Sequence, residues 1–209
     1  MVVINKLKNP QFRSSVNKIG DYIITGKIGS GSFGDVYSCY HEITSEKVAI
    51  KVIYPTVNEL SVYTEISIGQ LLYKDNVSNS LVVPVRDSFV HENQTCLVME
   101  LVQGIDLFDK VTQYSSGIPE SELIPLFHDI VLALHYAHQH NVVHRDIKPE
   151  NIIITSSGCK LIDFGMACVY TSGTFLKTYV GSLEYCSPEV LRAIPYDGFK
   201  ADCWSLGFF

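Results

Sequence analysis

The densest run of reactive side chains in this 209-residue chain is VVHRDIKPENIII, which begins at Val142. His144, Arg145, Asp146, Lys148 and Asn151 fall within eight residues and are bounded on both sides by apolar stretches. Polar groups at a buried edge lose hydration free energy unless they are paired or used. Transfer of a phosphoryl group to a hydroxyl would use them. It needs a carboxylate to orient the hydroxyl and accept its proton (Asp146), a cation on the transferring phosphate (Lys148) and an oxygen ligand for magnesium (Asn151). Twelve residues beyond Asn151, KLIDFGMA sets Asp163 between a short apolar run and a glycine. An isolated Asp-x-Gly is ordinary turn chemistry. At this distance from Asn151 it offers a second hard oxygen ligand for Mg2+.

Two stretches upstream extend the same chemistry. GSGSFGDV spells G-x-G-x-x-G with Gly29, Gly31 and Gly34, and Val36 follows two residues on. That spelling also serves a plain hairpin turn or the first turn of a dinucleotide fold. The dinucleotide fold requires a helix directly after the glycines and an acidic residue about 20 residues on. Here the β-like DVYSCYHE follows. The pattern favours a glycine-rich hairpin that lays backbone N–H groups over phosphates. Fifteen residues after Val36, VAIK carries Lys51 behind three apolar strand residues. Alone it reads as a solvated strand lysine; in this setting it is a candidate phosphate ligand that a helix carboxylate has to hold. Glu65 in YTEISI is the choice and Glu59 the alternative, and either also reads as a surface charge.

These groups need elements to position them. DYIITGKIG, DVYSCYHEI and KVAIKVIY are short runs rich in Val, Ile and Tyr, and they predict an antiparallel sheet. VNELSVYTEISIGQLLYKD has apolar residues near helical spacing and predicts one helix. KDNVSNS is turn chemistry, and LVVPVRDSFVHE and QTCLVMELV predict two more strands. ESELIPLFHDIVLALHYAHQH is the longest helical stretch, with an apolar stripe of Leu123, Leu126, Phe127, Ile130, Val131, Leu134 and Ala137. Pro125 fits it only near the first turn, because an interior proline loses a hydrogen bond and clashes. A sheet with one helix followed by mostly helix makes two lobes joined near residues 100–104.

Bulk composition narrows the function. A hydrophobic content of 46% and a charged content of 18% suit a globular core. A net charge of -6 without a basic run advertises no nucleic-acid or acidic-membrane face. The opening residues hold no apolar run long enough for a signal peptide, and no run of ~18 apolar residues follows. The chain is therefore expected inside the cell, in the cytoplasm first, with the nucleus left open. Six scattered cysteines without a C-x-x-C pair predict reduced thiols, with neither a zinc site nor a disulfide framework.

Taken in order, these motifs resemble the eukaryotic protein kinase family, serine/threonine type, from about Tyr22 to the last residue. The resemblance implies an α+β, bilobal fold. It implies an N-terminal extension over residues 1–20, an N-lobe of antiparallel sheet plus one helix over 21–99, a hinge at 100–103 and a mainly helical, incomplete C-lobe over 104–209. It implies ATP and Mg2+ as cofactors. By this resemblance Ile28, Gly29, Gly31, Gly34 and Val36 cover ATP, and Val36 and Ala49 pack on the adenine. Lys51 holds the α- and β-phosphates and pairs with Glu65. Met99 sits behind the adenine, and Glu100 and Val102 bound a hinge that offers backbone hydrogen bonds. Asp106 reaches the ribose and Ile153 closes the adenine from below. Asp146 becomes the catalytic carboxylate, and Asn151 and Asp163 the metal ligands.

Lys148 in HRDIKPEN resembles the serine/threonine side of the family, as does GSLEYCSPE, where Ser182 would support Asp146 and Lys148. Ser187, Pro188 and Glu189 stand where the family has Ala-Pro-Glu. Asp202 would support the catalytic loop backbone, and Trp204 reads as core. Arg145 goes with control by phosphorylation, as a charge unpaired until a phosphate arrives. Thr178 in FLKTYVGS stands at the activating phosphothreonine position, or else is a plain exposed loop threonine. The implied partners are an upstream activating kinase and a protein substrate with Ser or Thr. Glu150 and Asp106 would favour basic residues ahead of the target. ELVQGIDLFDKV and PYDGFKADCWSLG look closest to the calmodulin-dependent and energy-sensing kinase group.

Some features depart from the family. Gly69 falls one turn after Glu65, where a large apolar residue is usual. A glycine there leaves a gap and weakens the helix by ~1 kcal/mol against Ala, unless a shifted register lets Leu71 or Leu72 fill it. The KDNVSNS loop looks longer than usual. The tryptophan element should begin a long buried helix, yet the chain stops at Phe209, and the usual arginine partner for Glu189 is absent. A C-terminally truncated fragment is expected. His135, His138 and His140 read either as metal ligands or as a helix end complementing its dipole. Two rival functions stand beside the kinase reading: a non-catalytic ATP-binding or interaction module, and an NAD-dependent oxidoreductase that rests on the glycines alone.

Overall fold

Strand-forming runs rich in β-branched and aromatic residues build the first lobe, as the computed structural model describes it over residues 18–74 and 81–208. In chain order its elements are β1 (Lys18–Ile19), β2 (Tyr22–Ser30), β3 (Gly34–His41), β4 (Lys47–Ile53), α1 (Glu59–Lys74), β5 (Val85–His91) and β6 (Gln94–Glu100). The strands form one antiparallel sheet in the order β1-β2-β3-β4-β6-β5. Side chains alternate across a strand. Val48 and Ile50 of β4 therefore pack with Cys39, Cys96 and Val98 on one face. On the other face, Ile53 packs with Val85 and Leu97 under Val62 and Ile66 of α1. The sheet begins earlier than the sequence pattern suggests, since Lys18 and Ile19 already pair with Ile23 and Tyr22. Residues 1–17 and residues 75–80 of the KDNVSNS stretch lie outside the described residues.

The second lobe holds β7 (Ile105–Asp106), α2 (Leu107–Val111), α3 (Glu120–Gln139), β8 (Val142–Val143), β9 (Ile152–Thr155), β10 (Gly158–Leu161), β11 (Cys168–Val169), α4 (Pro188–Leu191) and α5 (Gly198–Leu206). Two small antiparallel sheets, β10-β9-β7 and β11-β8, carry the loops that matter below. Ile130, Ala133, Leu134 and Ala137 of α3 pack against Ile147, Ile152, Leu161 and Phe164, and Ile68 and Leu72 of α1 join the same core. The two lobes thus share one apolar cluster behind the cleft between them. The fold is α+β and bilobal, an antiparallel sheet with one helix followed by a mainly helical part. No helix among the described residues is long and apolar enough to cross a membrane.

Several sequence expectations need correction. The α3 stripe is narrower than its apolar pattern. Leu126, Ile130, Leu134 and Ala137 face the core, whereas Leu123, Phe127 and Val131 are 38–40% exposed. Those three ride a neighbouring i, i+4 row that turns away from the core. Pro125 lies in the second turn of α3, beyond the first-turn position it was expected to need. The Ser121 carbonyl loses its helical donor there, at an exposed residue of the first turn. Trp204 is not core: it is 48% exposed, because α5 turns Ala201, Asp202 and Leu206 inward instead. Gly69 leaves no gap. It is buried and β5 closes directly onto it at Val85, while Leu72 enters the shared core.

Candidate active site

On β4 the register sets Lys51 between Val36 of β3 and Leu97 of β6. Its ammonium reaches across to α1, with Nζ 2.7 Å from Glu65 Oε1, and lies 3.2 Å from Asp163 Oδ1. Lys51 and Glu65 are each only 6% exposed. Glu59 sits exposed in the first turn of α1 and takes no part. Burial opposes the charge on Lys51, but the carboxylates of Asp163 and Glu65 outweigh it and raise its pKa above the ordinary lysine value. Burial likewise opposes the Asp163 carboxylate, and the Lys51 ammonium outweighs it, holding the pKa down at about 2. Asp163 occupies the left-handed region at φ 62°, a conformation that Asp tolerates better than most residues.

The loop between β8 and β9 is held from several sides. Asp202 of α5, 1% exposed, accepts the backbone N–H groups of His144 and Arg145, both at 2.8 Å. His138 Nε2 lies 2.9 Å from the same carboxylate. That contact accounts for this histidine, and among the described residues no group of three or more His, Cys, Asp or Glu side chains is gathered as a metal site. His144 is fully buried. Its Nδ1 accepts the Asp146 N–H at 3.2 Å, which leaves Nε2 to donate to the Ile162 carbonyl at 3.1 Å. The ring stands edge-on to Phe164 with centroids 4.8 Å apart. The Asp146 loop and the Asp163 segment are therefore locked to each other.

Asp146 is buried but fully engaged. Oδ1 accepts the Ser182 N–H at 2.9 Å, and Oδ2 lies 2.9 Å from Lys148 Nζ. Asn151 Nδ2 donates to Oδ2 at 3.1 Å and to the Asp146 carbonyl at 2.8 Å. Lys148 also donates to Ser182 Oγ at 2.7 Å. Burial pushes the Asp146 pKa up, but bonds from Lys148 and Ser182 outweigh it and leave it below the ordinary aspartate value. Asp146 is thus an ionised carboxylate at neutral pH. With the Asn151 nitrogen committed to Asp146, nothing among the described residues donates to its Oδ1.

Above these groups, the β2–β3 hairpin pairs Gly29 with Val36 and Ser30 with Asp35. Gly31 N–H donates to the Gly34 carbonyl at 3.0 Å and closes the turn. Gly34 is required by space, since a Cβ there would run into the Val52 carbonyl of β4. Asp35 anchors the hairpin from outside. Its carboxylate lies 2.8 Å from Lys27 Nζ and accepts from Ser30 Oγ at 2.6 Å and Tyr54 Oη at 2.7 Å.

The cleft below the hairpin is walled by Gly31, Gly34, Val36, Ala49, Met99, Glu100 and Val102, with Lys51, Glu65 and Asp163 at its inner end. Ile28 and Gly29 lie half-buried on β2, outside this wall. Ile153 is fully buried beneath it, packed with Val83, Val102 and Ile162, and Ile162 is among the residues that line the cleft. Asp106 is 1% exposed. Its Oδ1 caps α2 by accepting Asp109 N–H at 2.7 Å, and its Oδ2 is buried without a partner. Phe33, Val83, Val85 and Ile162 line the cleft without having been singled out. Ile162 had a signal, as the apolar residue directly before Asp163.

Two further residues sit on the outer side. Arg145 donates from Nε to the Met166 carbonyl at 2.7 Å and from Nη2 to the Ala167 carbonyl at 3.4 Å. Thr178 is exposed, and its carbonyl accepts from the buried Tyr196 Oη at 3.0 Å. Ser187 caps α4, while Glu189 is exposed.

The chemistry of this donor set fits a nucleoside triphosphate with a hard divalent cation. An apolar cleft suits a flat heterocycle. An ammonium and a roof of backbone N–H groups suit phosphates, and a carboxylate beside an amide oxygen suits Mg2+. Comparison with known proteins agrees. A family model described as protein kinase domain matches residues 22–209. The carbon catabolite-derepressing protein kinase of Candida glabrata is 36% identical over 197 residues, covering 91% of this chain and 31% of the relative. Its Saccharomyces cerevisiae counterpart is 36% identical over 195 residues, covering 90% and 30%. The SNF1-like protein kinase ssp2 of Schizosaccharomyces pombe is 36% identical over 199 residues, covering 92% and 33%. The chain spans about a third of the length of these curated relatives.

Proposed function

This chain belongs to the protein kinase family, in the group of these energy-sensing serine/threonine kinases, and we propose that it transfers the γ-phosphoryl group of ATP to a serine or threonine hydroxyl of a protein. The observation that carries this reading is the Asp146 carboxylate, kept ionised by Lys148 and aimed by the Ser182 N–H at 2.9 Å. Asp146 orients the attacking hydroxyl and takes its proton. Lys148 offsets charge on the transferring phosphate, and Lys51, held by Glu65, fixes the α- and β-phosphates. Asn151 and Asp163 would hold Mg2+, which would supply positive charge to offset the phosphates. The adenine occupies the apolar cleft, with Met99 behind it and the backbone of residues 100–102 beside it.

The substrate we infer carries basic residues ahead of its target hydroxyl. Asp106 Oδ2 and Glu150 Oε2 are both buried without a partner, and an unpaired carboxylate oxygen is stabilised by a cationic donor. Control is assigned to phosphorylation of Thr178 by an upstream kinase, with Arg145 as the receiving cation. The site of action is inside the cell, in the cytoplasm or nucleus, where ATP is the donor and the six cysteines persist as free thiols.

The test is transfer of labelled phosphate from Mg-ATP to a basic serine peptide, run beside Asp146→Ala. Transfer that disappears in the variant supports the reading. Binding of ATP without transfer by the wild-type protein replaces it with a non-catalytic nucleotide-binding module.

A further inference from the structure

A glycine in mid-helix disfavours the helix relative to alanine, so Gly69 in α1 calls for a reason. It is buried, and the reason lies on β5. A Cβ built on Gly69 would stand 2.5 Å from Val85 Cβ, 2.8 Å from Val85 N and 3.0 Å from Val85 Cα. None of these is the end of a flexible side chain, so none can rotate aside. The backbone of α1 therefore rests directly on the strand. One turn earlier on the same helix, Glu65 makes its 2.7 Å bond to Lys51. Val85 in turn lines the nucleotide cleft and pairs in register with Met99.

We propose that the contact of Gly69 with Val85 is the bearing that sets the distance of α1 from the sheet, making Gly69 a positioning residue for the Lys51–Glu65 pair. This rests on the phosphoryl-transfer reading of the site. The bearing works by exclusion. Any side chain at position 69 must lift the helix by close to an ångström to reach the 3.4 Å of an ordinary contact. A bond of 2.7 Å does not survive that displacement. Lys51 then loses the partner that aims it at the phosphates, while the adenine-facing wall at Val36 and Ala49 is untouched. Misplacing a reacting group by about 1 Å from a change away from the chemistry lowers rates by up to ~100-fold.

The test compares wild type, Gly69→Ala, Glu65→Ala and the double variant in the full chain. Calorimetry reads the affinities of ADP and adenosine, and a steady-state assay with Mg-ATP and a serine peptide reads kcat. Gly69→Ala is expected to weaken ADP binding and lower kcat by about tenfold or more, with adenosine affinity held within about twofold. In the Glu65→Ala background the same change should alter either quantity by less than about twofold, because the bond it breaks is already gone. Wild-type ADP affinity and kcat in Gly69→Ala would overturn the proposal, and so would an equal loss in both backgrounds. Should Gly69→Ala lose adenosine binding as well, the change reaches beyond the Lys51–Glu65 pair, and that outcome also overturns the proposal. A wild-type protein that binds ADP without transferring phosphate sinks the kinase reading, and the ratio of ADP to adenosine affinity still decides the role of Gly69.

Discussion

Asp202 Oδ1 accepts the backbone N–H of Arg145 at 2.8 Å across 57 residues of sequence, and Arg145 is held at φ 65°. A non-glycine residue in that left-handed region is disfavoured by about 1–3 kcal/mol and persists only where its surroundings over-determine it. Here the surroundings are one carboxylate that also accepts the His144 N–H at 2.8 Å and faces His138 at 2.9 Å. Asp202→Ala leaves two N–H groups without their acceptor, each about 1–3 kcal/mol if unsatisfied. Thermal melts should show a drop of roughly 2–4 °C per kcal/mol, with phosphate transfer falling in parallel. An unchanged melting temperature would mean that water replaces the carboxylate and that the loop does not depend on α5.

Asp146→Asn preserves shape and the acceptor for Ser182 N–H while removing the carboxylate proposed as the base. General acid–base catalysis contributes about 10²–10⁴-fold. The variant should lose kcat in that range and keep its affinity for ATP, because the groups that face the nucleotide are elsewhere. Equilibrium ATP binding measured beside single-turnover transfer separates the two. A variant that retains kcat would assign proton removal to solvent or to the substrate itself.

The sequence was most readable where the chemistry was local. His144, Arg145, Asp146, Lys148 and Asn151 are joined by a short loop, so spacing alone groups them. Glu65 is already preferred to Glu59 from the sequence, and the pitch and seat of α1 put the first carboxylate on Lys51 and the other in solvent. Gly69 misled because composition describes the missing side chain and not the strand that moves in to replace it. Apolar identity likewise suggested that Phe127 and Trp204 are core, yet burial follows which helical row faces a neighbour. Ile153 and Ile162 pack together beneath the cleft, and that neighbourhood joins two strands that spacing along the chain does not relate.

Asp35 gives a pH test away from the reacting groups. Its bond to Lys27, with further bonds from Ser30 and Tyr54, holds its pKa at about 2, below the ordinary value of about 3.9. A depressed carboxylate contributes stability that is present above its unfolded pKa and is lost as pH falls through its folded value. Asp35→Asn should therefore melt below wild type at pH 7, and the gap should close between about pH 4 and pH 2. The loosened hairpin should also raise the KM for ATP. A gap that persists at pH 2 would show that packing, not charge, is what Asp35 supplies.

The last prediction concerns control. Arg145 spends its guanidinium on the carbonyls of Met166 and Ala167, and neutral acceptors satisfy a full positive charge less well than an anion does. The Thr178 backbone is pinned by Tyr196 Oη at 3.0 Å while the residue itself stays exposed. A phosphate there adds a charge of about −1.5 to −2, and hydrogen bonds to charged groups are worth about 1.5–3 kcal/mol. Phosphorylation of Thr178 should accordingly raise kcat by about 10- to 100-fold. Thr178→Ala should remove the gain and leave the basal rate. Arg145→Ala should also remove the gain even with phosphate present, and the two changes together should be no worse than either alone. The measurement is kcat with and without prior treatment by an activating kinase, with phosphate at position 178 verified by mass. Activation that survives Arg145→Ala would move the receiving cation elsewhere in the loop, with Lys177 the nearest alternative in sequence.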